Sequence, residues 1–205
     1  SPQAMGELEF LVHHATLAAN SHNTQPWLFS GGADQVTIRP DLARATPAVD
    51  PDHHHVFASL GCAAENLGLA ASVAGRSSAI ESLDGANELR VSLGGAGAAP
   101  DPLFDAITER QCTRSVYDGR PVPAADLAAI EAAAAVDGCS VMLVTDTPRM
   151  EQILELIVAA NTAQVEDPAF VAELKRWLRF NAGEALRHRD GLYSACSGNP
   201  TLPGF

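Results

Sequence analysis

The sequence predicts an α+β fold in which helices pack around a central, mainly antiparallel sheet. Long segments carry apolar residues at helical spacing, and pairs of short apolar segments flank turns that contain Gly. The chain has 205 residues, of which 46% are hydrophobic and 19% are charged. These proportions are typical of a globular protein that is long enough to bury one sizeable core or two smaller ones.

Four of the predicted helices begin with the same short motif, an Asp or Thr directly followed by Pro. The Asp or Thr side chain can cap free backbone amides, and Pro fits the first helical position. The motif occurs at Asp50-Pro51, Asp101-Pro102, Thr147-Pro148 and Asp167-Pro168. Together with the apolar spacing, it predicts helices over residues 5–19, 52–74, 102–109, 124–135, 149–164 and 168–179.

The first and the longest of these helices should contribute most to the core. Apolar residues at helical spacing define the face that each should bury. For residues 5–19 they are Leu8, Leu11, Val12, Ala15 and Ala19. For residues 52–74, which should end at Gly75, they are Phe57, Leu60, Ala64, Leu67 and Ala71.

The strand signals lie between the helices. Residues 27–30 and 35–39 flank Gly31-Gly32 and predict one hairpin, and residues 78–83 and 88–93 flank Asp84-Gly85 and predict another. Residues 140–145 form a β-branched apolar run that predicts a fifth strand. A linker of small residues from 94 to 100 places the main internal boundary near residue 100.

Charge and segment composition limit the partners and the compartment. The chain has 25 acidic and 13 basic residues, a net charge of −12, which disfavours nucleic acid and anionic membranes. No apolar run is expected to be long enough to span a membrane, and the first residues show no signal peptide. Four widely spaced cysteines, Cys62, Cys112, Cys139 and Cys196, favour reduced thiols over a zinc site. We therefore expect a cytoplasmic protein; export after signal cleavage, with two disulfides, is the alternative.

A polar loop over residues 18–27 is the most informative stretch. It reads Ala-Ala-Asn-Ser-His-Asn-Thr-Gln-Pro-Trp and carries consecutive hydrogen-bonding side chains at Asn20, Ser21, His22, Asn23, Thr24 and Gln25. Such a loop suits a flat ligand that has donors and acceptors along its edge. The alternative is a polar turn that ends at a buried Trp.

A second informative stretch runs from residue 110 to 121. Arg110 and Arg114 lie four residues apart, with the hydroxyls of Thr113 and Ser115 near the second Arg. Guanidinium groups bind phosphate through paired hydrogen bonds, so this pattern could hold a phosphate in an otherwise acidic protein. The alternative is a pair of solvated surface arginines.

These two stretches resemble parts of the FMN-dependent nitroreductases. His-Asn-Thr-Gln-Pro-Trp at residues 22–27 is similar to the family loop beside the isoalloxazine ring, and the Arg110/Arg114/Tyr117 pattern is similar to the family's phosphate motif. Ordinary members carry the phosphate motif first, whereas here it follows the loop. This inverted order resembles the Acg-like branch, in which two degenerate repeats in one chain mimic the usual homodimer. Residues 56–75 are similar to the family's central helix, and residues 177–179 and 189–192 to the branch's lid region.

The resemblance implies a domain arrangement and a set of cofactor-binding residues. Residues 1–100 would be a first nitroreductase-like repeat, residues 101–180 the start of a second, and residues 181–205 an irregular, lid-like tail in a chain that continues further. The implied FMN-binding residues are Asn20, Ser21, His22, Asn23, Gln25, Arg110, Cys112 and Arg114. The chain departs from the family at Gln111 and Cys112, where an Arg and a Ser are usual.

The function that this resemblance implies is transfer of electrons from NAD(P)H, through FMN, to a nitroaromatic or quinone-like acceptor. Flavin carries such chemistry itself, so no catalytic side chain is predicted, and the sequence shows no Ser-His-Asp or His-Glu-x-x-His pattern. A tail that covers the ring would instead give a flavin-sequestering or regulatory protein without turnover. A structural or interaction domain that has lost the cofactor is the third alternative, and a homodimer is an open expectation.

Two other features invite functional interpretations. Asp52-His53-His54-His55 suggests a metal site, but consecutive helical side chains point about 100° apart and cannot all reach one ion. We predict no metal site, with an Asp52/His55 pair as the alternative. Cys112 lies between Arg110 and Arg114 and is either a reactive thiol or a small residue at a crowded phosphate site.

Overall fold

The computed structural model describes residues 5–83, 85, 87–112, 116–198 and 202. The chain forms two compact units, the first made of Ser1–Thr113 and Glu173–Phe205, the second of Arg114–Ala172. Compactness does not test whether two repeats exist, so the repeats over residues 1–100 and 101–180 stay a prediction. The observed mixture of helices with an antiparallel sheet is compatible with the predicted α+β class.

The first unit is built on a four-stranded antiparallel sheet with the strand order β1-β2-β4-β3. Its strands are β1 (Trp27–Gly31), β2 (Gln35–Pro40), β3 (Arg76–Leu83) and β4 (Glu88–Ala96). Both predicted hairpins are confirmed, since β1 pairs with β2 and β3 pairs with β4. Asp84, in the second predicted turn, lies outside the described residues.

Three helices of the first unit accompany this sheet: α1 (Glu7–Ala15), α2 (His54–Val73) and α3 (Leu103–Glu109). The sheet buries Val36, Ile38 and Val91, while α1 buries Phe10, Leu11 and Ala15. On α2, the predicted core residues Leu60, Ala64, Leu67 and Ala71 are buried. Phe57 and Leu8, which were predicted to be buried, are 38% and 39% exposed. Helical spacing finds the buried face, but residues at its edge depend on where the neighbouring elements end.

The predicted capping residue Asp50 does cap α2, but Pro51 is not the first helical residue. Asp50 is 2% exposed, and its side chain accepts hydrogen bonds from the backbone N–H groups of His55 at 3.0 Å and Val56 at 3.2 Å. The helix therefore begins at His54, because these amides are the free donors of its first turn. Asp50 caps α2 from four residues upstream of the first helical residue.

By the criteria of length and composition alone, the expectation that no apolar run could span a membrane is wrong. Helix α2 contains an 18-residue window with a mean hydropathy of 1.4, which is enough by these two criteria. The share of that window buried inside the protein is 44%, and a core helix passes the same test. The feature is therefore weak evidence for a membrane span.

The second unit contains α4 (Ala124–Ala133) and α5 (Thr147–Glu166). Asp146 caps α5 by accepting the Arg149 N–H at 3.0 Å, one residue before the predicted capping Thr147. Residues 140–145 form no strand, so this prediction is wrong. An apolar β-branched run becomes a strand only where a neighbouring strand takes up its backbone hydrogen bonds. None of residues 116–172, all of which are described, is buried.

The helix predicted over residues 168–179 is confirmed as α6 (Pro168–Trp177), which is followed by β5 (Leu178–Arg179). The tail over residues 181–205 is more regular than the sequence predicts: its described part contains α7 (Ala182–His188), β6 (Leu192–Tyr193) and α8 (Ser194–Ser197), and β6 pairs in parallel with β5. Asn181 caps α7 by accepting the Glu184 N–H at 3.0 Å, and the Glu184 carboxylate accepts the Phe180 N–H at 2.9 Å. This reciprocal capping forms a short helix where the Gly- and Ser-rich composition predicted irregular chain.

Candidate functional site

The polar loop between α1 and β1 contains a single 3-10 turn over Ser21–Asn23. His22, Asn23 and Gln25 have left-handed backbone angles, with φ of 50°, 51° and 52°. The Asn20 side-chain oxygen accepts the Gln25 N–H at 2.8 Å, and the Asn20 amide group donates to the Ala18 carbonyl at 3.1 Å. Asn20 therefore shapes the loop, because both ends of its side chain bind backbone groups beside it.

Two amide side chains of the loop bind the backbone of the tail. Asn23 Nδ2 donates to the Gly191 carbonyl at 3.2 Å, and Gln25 Nε2 donates to the Arg189 carbonyl at 2.6 Å. The Gly191 N–H in turn donates to the Asn23 carbonyl at 3.0 Å. Residues 189–191 thus use two of the donors that the sequence assigned to a ligand.

Gly191 allows this close approach because it has no Cβ. The residue is buried and has a φ of 79°, a conformation that L side chains rarely adopt. An added Cβ would lie 2.9 Å from Arg179 Cζ and even closer to the Trp177 carbonyl oxygen. The backbone of the tail can therefore reach Asn23 only with Gly at this position.

A charged cluster beside the loop consists of Asp190, Arg44, Arg179 and Trp177, called here the Asp190 cluster. Asp190 accepts hydrogen bonds from Arg44 at 2.5 Å and from Arg179 at 2.6 Å, one at each carboxylate oxygen. Arg44 also donates through Nε to the Thr24 carbonyl at 2.5 Å. The guanidinium carbons of Arg44 and Arg179 lie 5.6 and 6.0 Å from the centre of the buried Trp177 ring. The cluster joins the loop, the segment after β2 and the tail.

Opposing effects set the pKa of Asp190. Burial raises the pKa, but the hydrogen bonds and positive charges of Arg179 and Arg44 together outweigh it and lower the pKa below the ordinary value. The carboxylate therefore stays charged at neutral pH. Sequence analysis missed this cluster: Arg189-Asp190-Gly191 signals a turn, and only the folded chain brings Arg44 to it.

Arg110 lies near the polar loop within the first unit. Its guanidinium donates to the Leu17 carbonyl at 3.3 Å, three residues before Asn20, and lies 3.6 Å from the Cys112 sulfur. Both Arg110 and Cys112 are exposed, whereas Ser21 and His22 are half-buried. Arg114, together with the neighbouring Thr113 and Ser115, lies outside the described residues. The structure therefore brings one of the two predicted phosphate-binding arginines to the edge of the loop.

A metal site gains no geometric support from the described residues. Within that part of the chain, no three His, Cys, Asp or Glu side chains form a group that could hold a metal ion. The four cysteines are unpaired and exposed.

A cavity of about 330 Å³ opens between the loop and the tail. It is lined by Gln25, Trp27, Asp41, Arg44, His188, Arg189 and Asp190. The lining includes two arginines and two aspartates, so its formal charges balance, whereas the chain as a whole has a net charge of −12.

Comparison with curated proteins finds two similar chains, both from Mycobacterium tuberculosis, one in strain CDC 1551 / Oshkosh and one in strain ATCC 25618 / H37Rv. Each is named "Putative NAD(P)H nitroreductase" and is 28% identical over 172 residues, which cover 80% of this chain and 48% of the relative. The chain thus spans about half the length of the curated relatives it matches. No protein-family model matches the chain.

The names of the relatives agree with the resemblance of the polar loop. At 28% identity the similarity is distant, but it extends over most of this chain and is not confined to one motif. The similarity therefore supports a distant relationship to the nitroreductase superfamily.

Proposed function

We propose that this chain contributes an FMN site to an NAD(P)H-dependent oxidoreductase whose acceptor is a nitroaromatic or quinone-like molecule. The observation that carries the proposal is the hydrogen bond from Arg110 to the Leu17 carbonyl at 3.3 Å. It places the start of the basic stretch beside the amide-rich loop, although the two are about ninety residues apart in sequence. The inverted order of these motifs supports the Acg-like tandem arrangement as the finer form of the proposal.

The residues at the loop fit the polar groups of a flavin. The side-chain oxygens of Asn23 and Gln25 accept no hydrogen bond within the described residues, and the Ser21 hydroxyl forms none there. A flavin ring edge presents both N–H donors and carbonyl acceptors, which such side chains can match. Arg110 is exposed and charged, so it can receive the phosphate; the role of Arg114, which lies outside the described residues, rests on the sequence pattern alone.

FMN, when bound, supplies the hydride and electron transfer, and the protein supplies binding and orientation. Ser21, Asn23 and Gln25 would hold the ring edge by hydrogen bonds, and nearby backbone amides would favour negative charge on the reduced ring. His22 and Asn20 would shape the loop, and Cys112 would lie beside the phosphate. No side chain has to act as a nucleophile or general base. The expected small-molecule partners are NAD(P)H and the electron acceptor, and a homodimer stays an open expectation.

A flavin-sequestering or regulatory role is the second candidate, and one observation favours it. Residues 189–191 of the tail bind Asn23 and Gln25 directly, at 3.2 and 2.6 Å. A tail that keeps this position while flavin is bound would restrict a second substrate. The two candidates differ in turnover and share the same cofactor.

The first experiment measures FMN binding by quenching of flavin fluorescence. We expect Arg110→Gln to weaken FMN binding about tenfold, because a charge-assisted phosphate contact is lost. Arg149→Gln is the matched control, since it removes one exposed Arg charge on α5 and should leave the affinity unchanged. Equal effects of the two variants would overturn the phosphate assignment.

The second experiment separates turnover from sequestration. NAD(P)H should bleach the flavin absorption band, and a nitroaromatic or quinone should restore it. Bleaching without restoration, or no bleaching of a tightly bound flavin, would favour the sequestering role. Absence of any flavin binding by the wild-type chain would overturn both candidates and leave a structural or interaction domain.

A further inference from the structure

The cavity beside the polar loop is lined by one arginine, Arg189, that lacks a carboxylate partner among the described residues, and Arg187 lies nearby in the chain. Within the described part of the chain, the Arg189 side chain forms no hydrogen bond or ion pair, and the Arg187 guanidinium contacts only the His188 ring, at 3.5 Å. Two other arginines of the first unit have carboxylate partners: Arg76 with Glu7 at 2.6 Å, and Arg39 with Glu88 at 3.9 Å. Arg189 is an exposed residue of the cavity lining, so its side chain is available to an anion from outside the chain.

The fixed charges around the cavity add to this preference. Asp190 is shared by two guanidiniums, those of Arg44 and Arg179, so this group of three carries one surplus positive charge. Arg189 adds a second positive charge, while Asp41 is the one carboxylate of the lining with no Arg or Lys partner among the described residues. The surplus matters because the chain as a whole has a net charge of −12 and repels anions elsewhere.

The size and remaining lining of the cavity suit part of a nucleotide. Its volume of about 330 Å³ lies at the lower end of the range for small-molecule sites. Trp27, at the end of the polar loop, offers an aromatic wall. Guanidinium groups bind phosphate oxygens in bidentate geometry, and a phosphate monoester carries more negative charge at neutral pH than a carboxylate, so it gains more from a surplus of positive charge.

We propose that this cavity binds the adenosine 2′-phosphate of NADPH, so that the protein prefers NADPH to NADH. The inference rests on the proposed function, because it assigns the electron donor to a cavity next to the loop that would hold FMN. Arg189 is the residue that would contact the phosphate, and Arg44 contributes charge from its ion pair with Asp190. Asp41 opposes the phosphate by charge repulsion.

Calorimetric titration of the full chain with 2′-AMP tests the site apart from any redox activity. We expect 2′-AMP to bind more tightly than adenosine, and Arg189→Gln to weaken 2′-AMP binding about fivefold through loss of a charged contact. Asp41→Asn should strengthen 2′-AMP binding because it removes a negative charge, and it should leave adenosine binding unaffected. The local structure should be kept, because the Asn oxygen can still accept the Ala43 N–H that Asp41 accepts at 3.2 Å. Arg149→Gln, which removes one exposed charge outside the lining, should change neither affinity.

Three results would overturn the inference: 2′-AMP binds no better than adenosine, Arg189→Gln and Arg149→Gln have equal effects, or inorganic phosphate binds as tightly as 2′-AMP. The last result would show a phosphate site that makes no use of the nucleoside. FMN binding by the same sample separates the two proposals. Flavin binding without discrimination for 2′-AMP rejects only this inference, whereas discrimination without flavin binding rejects only the proposed FMN site.

Discussion

Helices α2 and α5 have the same length, 20 residues each, yet the structure buries them very differently. Eight residues of α2 are buried, whereas α5 has none. Several large apolar residues of α5 are exposed by 40–72%: Met150, Ile153, Leu154, Leu156, Ile157, Val158 and Val165. An apolar helix face is stabilising only where another layer covers it. Two helices of the same length can therefore contribute very differently to the free energy of unfolding.

The comparison extends to the two compact units. The first unit has a sheet, helix α2 against it, α1 and α3 against α2, and a tail bound by hydrogen bonds and ion pairs. Among residues 116–172, the second unit has helices but no buried residue. The candidate site residues with described contacts all lie in the first unit, where a packed core can hold their geometry. We expect mutations in the first unit to lower the stability more than matched mutations in the second unit.

Truncation of matched leucines should give the largest difference. Leu67 on α2 is 0% exposed and Leu154 on α5 is 57% exposed. We expect Leu67→Ala to lower the free energy of unfolding by about 2–5 kcal/mol because it leaves a cavity, and Leu154→Ala to change it by about 0.5 kcal/mol or less. Urea denaturation measures both. A cost for Leu154→Ala as large as that for Leu67→Ala would mean that α5 is buried in solution, and would contradict the difference in burial between the two helices.

The glycines of the tail test whether the tail belongs to the packed unit. Gly191→Ala places a methyl group against Trp177 and Arg179, and Gly198→Ala meets no atom within 4 Å, although φ is similar at 79° and 76°. We expect Gly198→Ala to cost about 1 kcal/mol for its backbone conformation, and Gly191→Ala to cost about 2–3 kcal/mol. Thermal unfolding, with proteolysis of the tail, measures the difference. Equal costs would show that the observed packing around Gly191 contributes nothing.

The ends of α2 and α5 allow the same comparison for capping. Asp50 is buried and accepts two backbone N–H groups of α2, whereas Asp146 is exposed and accepts one of α5. We expect Asp50→Ala to cost about 1–2 kcal/mol and Asp146→Ala about 0.5 kcal/mol. Amide hydrogen exchange at Val56 and Arg149 reports each helix end separately. A larger increase in exchange at Arg149 would contradict the expected order.

The Asp190 cluster gives a pH-dependent effect of smaller size. Because the pKa of Asp190 is lower in the folded protein than in the unfolded chain, its ion pairs stabilise the tail above about pH 4. That stability is lost as the pH falls through the folded pKa. Asp190→Asn should cost about 1 kcal/mol at pH 7 and remove this dependence. Unfolding measured from pH 7 to pH 3 checks it, and a variant with the same acid sensitivity as the wild type would exclude Asp190 as the cause.

Much of the first unit could be predicted from local sequence. Glycine-containing turns between alternating apolar residues gave both hairpins, and helical spacing gave the buried residues Leu60, Ala64 and Leu67 of α2. The strand predicted over residues 140–145 failed, because no described strand pairs with it. Phe57 is partly exposed because the end of a buried face depends on neighbours that are distant in sequence.

The same distinction between local sequence and long-range contacts applies to the candidate site. Residue types alone determined that an amide-rich loop and a basic stretch exist, because hydrogen-bonding capacity and charge are properties of single side chains. Only the tertiary structure decided that Arg110 reaches the Leu17 carbonyl, that residues 189–191 bind Asn23 and Gln25, and that Arg44 and Arg179 share Asp190. Partners separated by up to 168 residues meet only when the chain packs, and no local pattern encodes that separation.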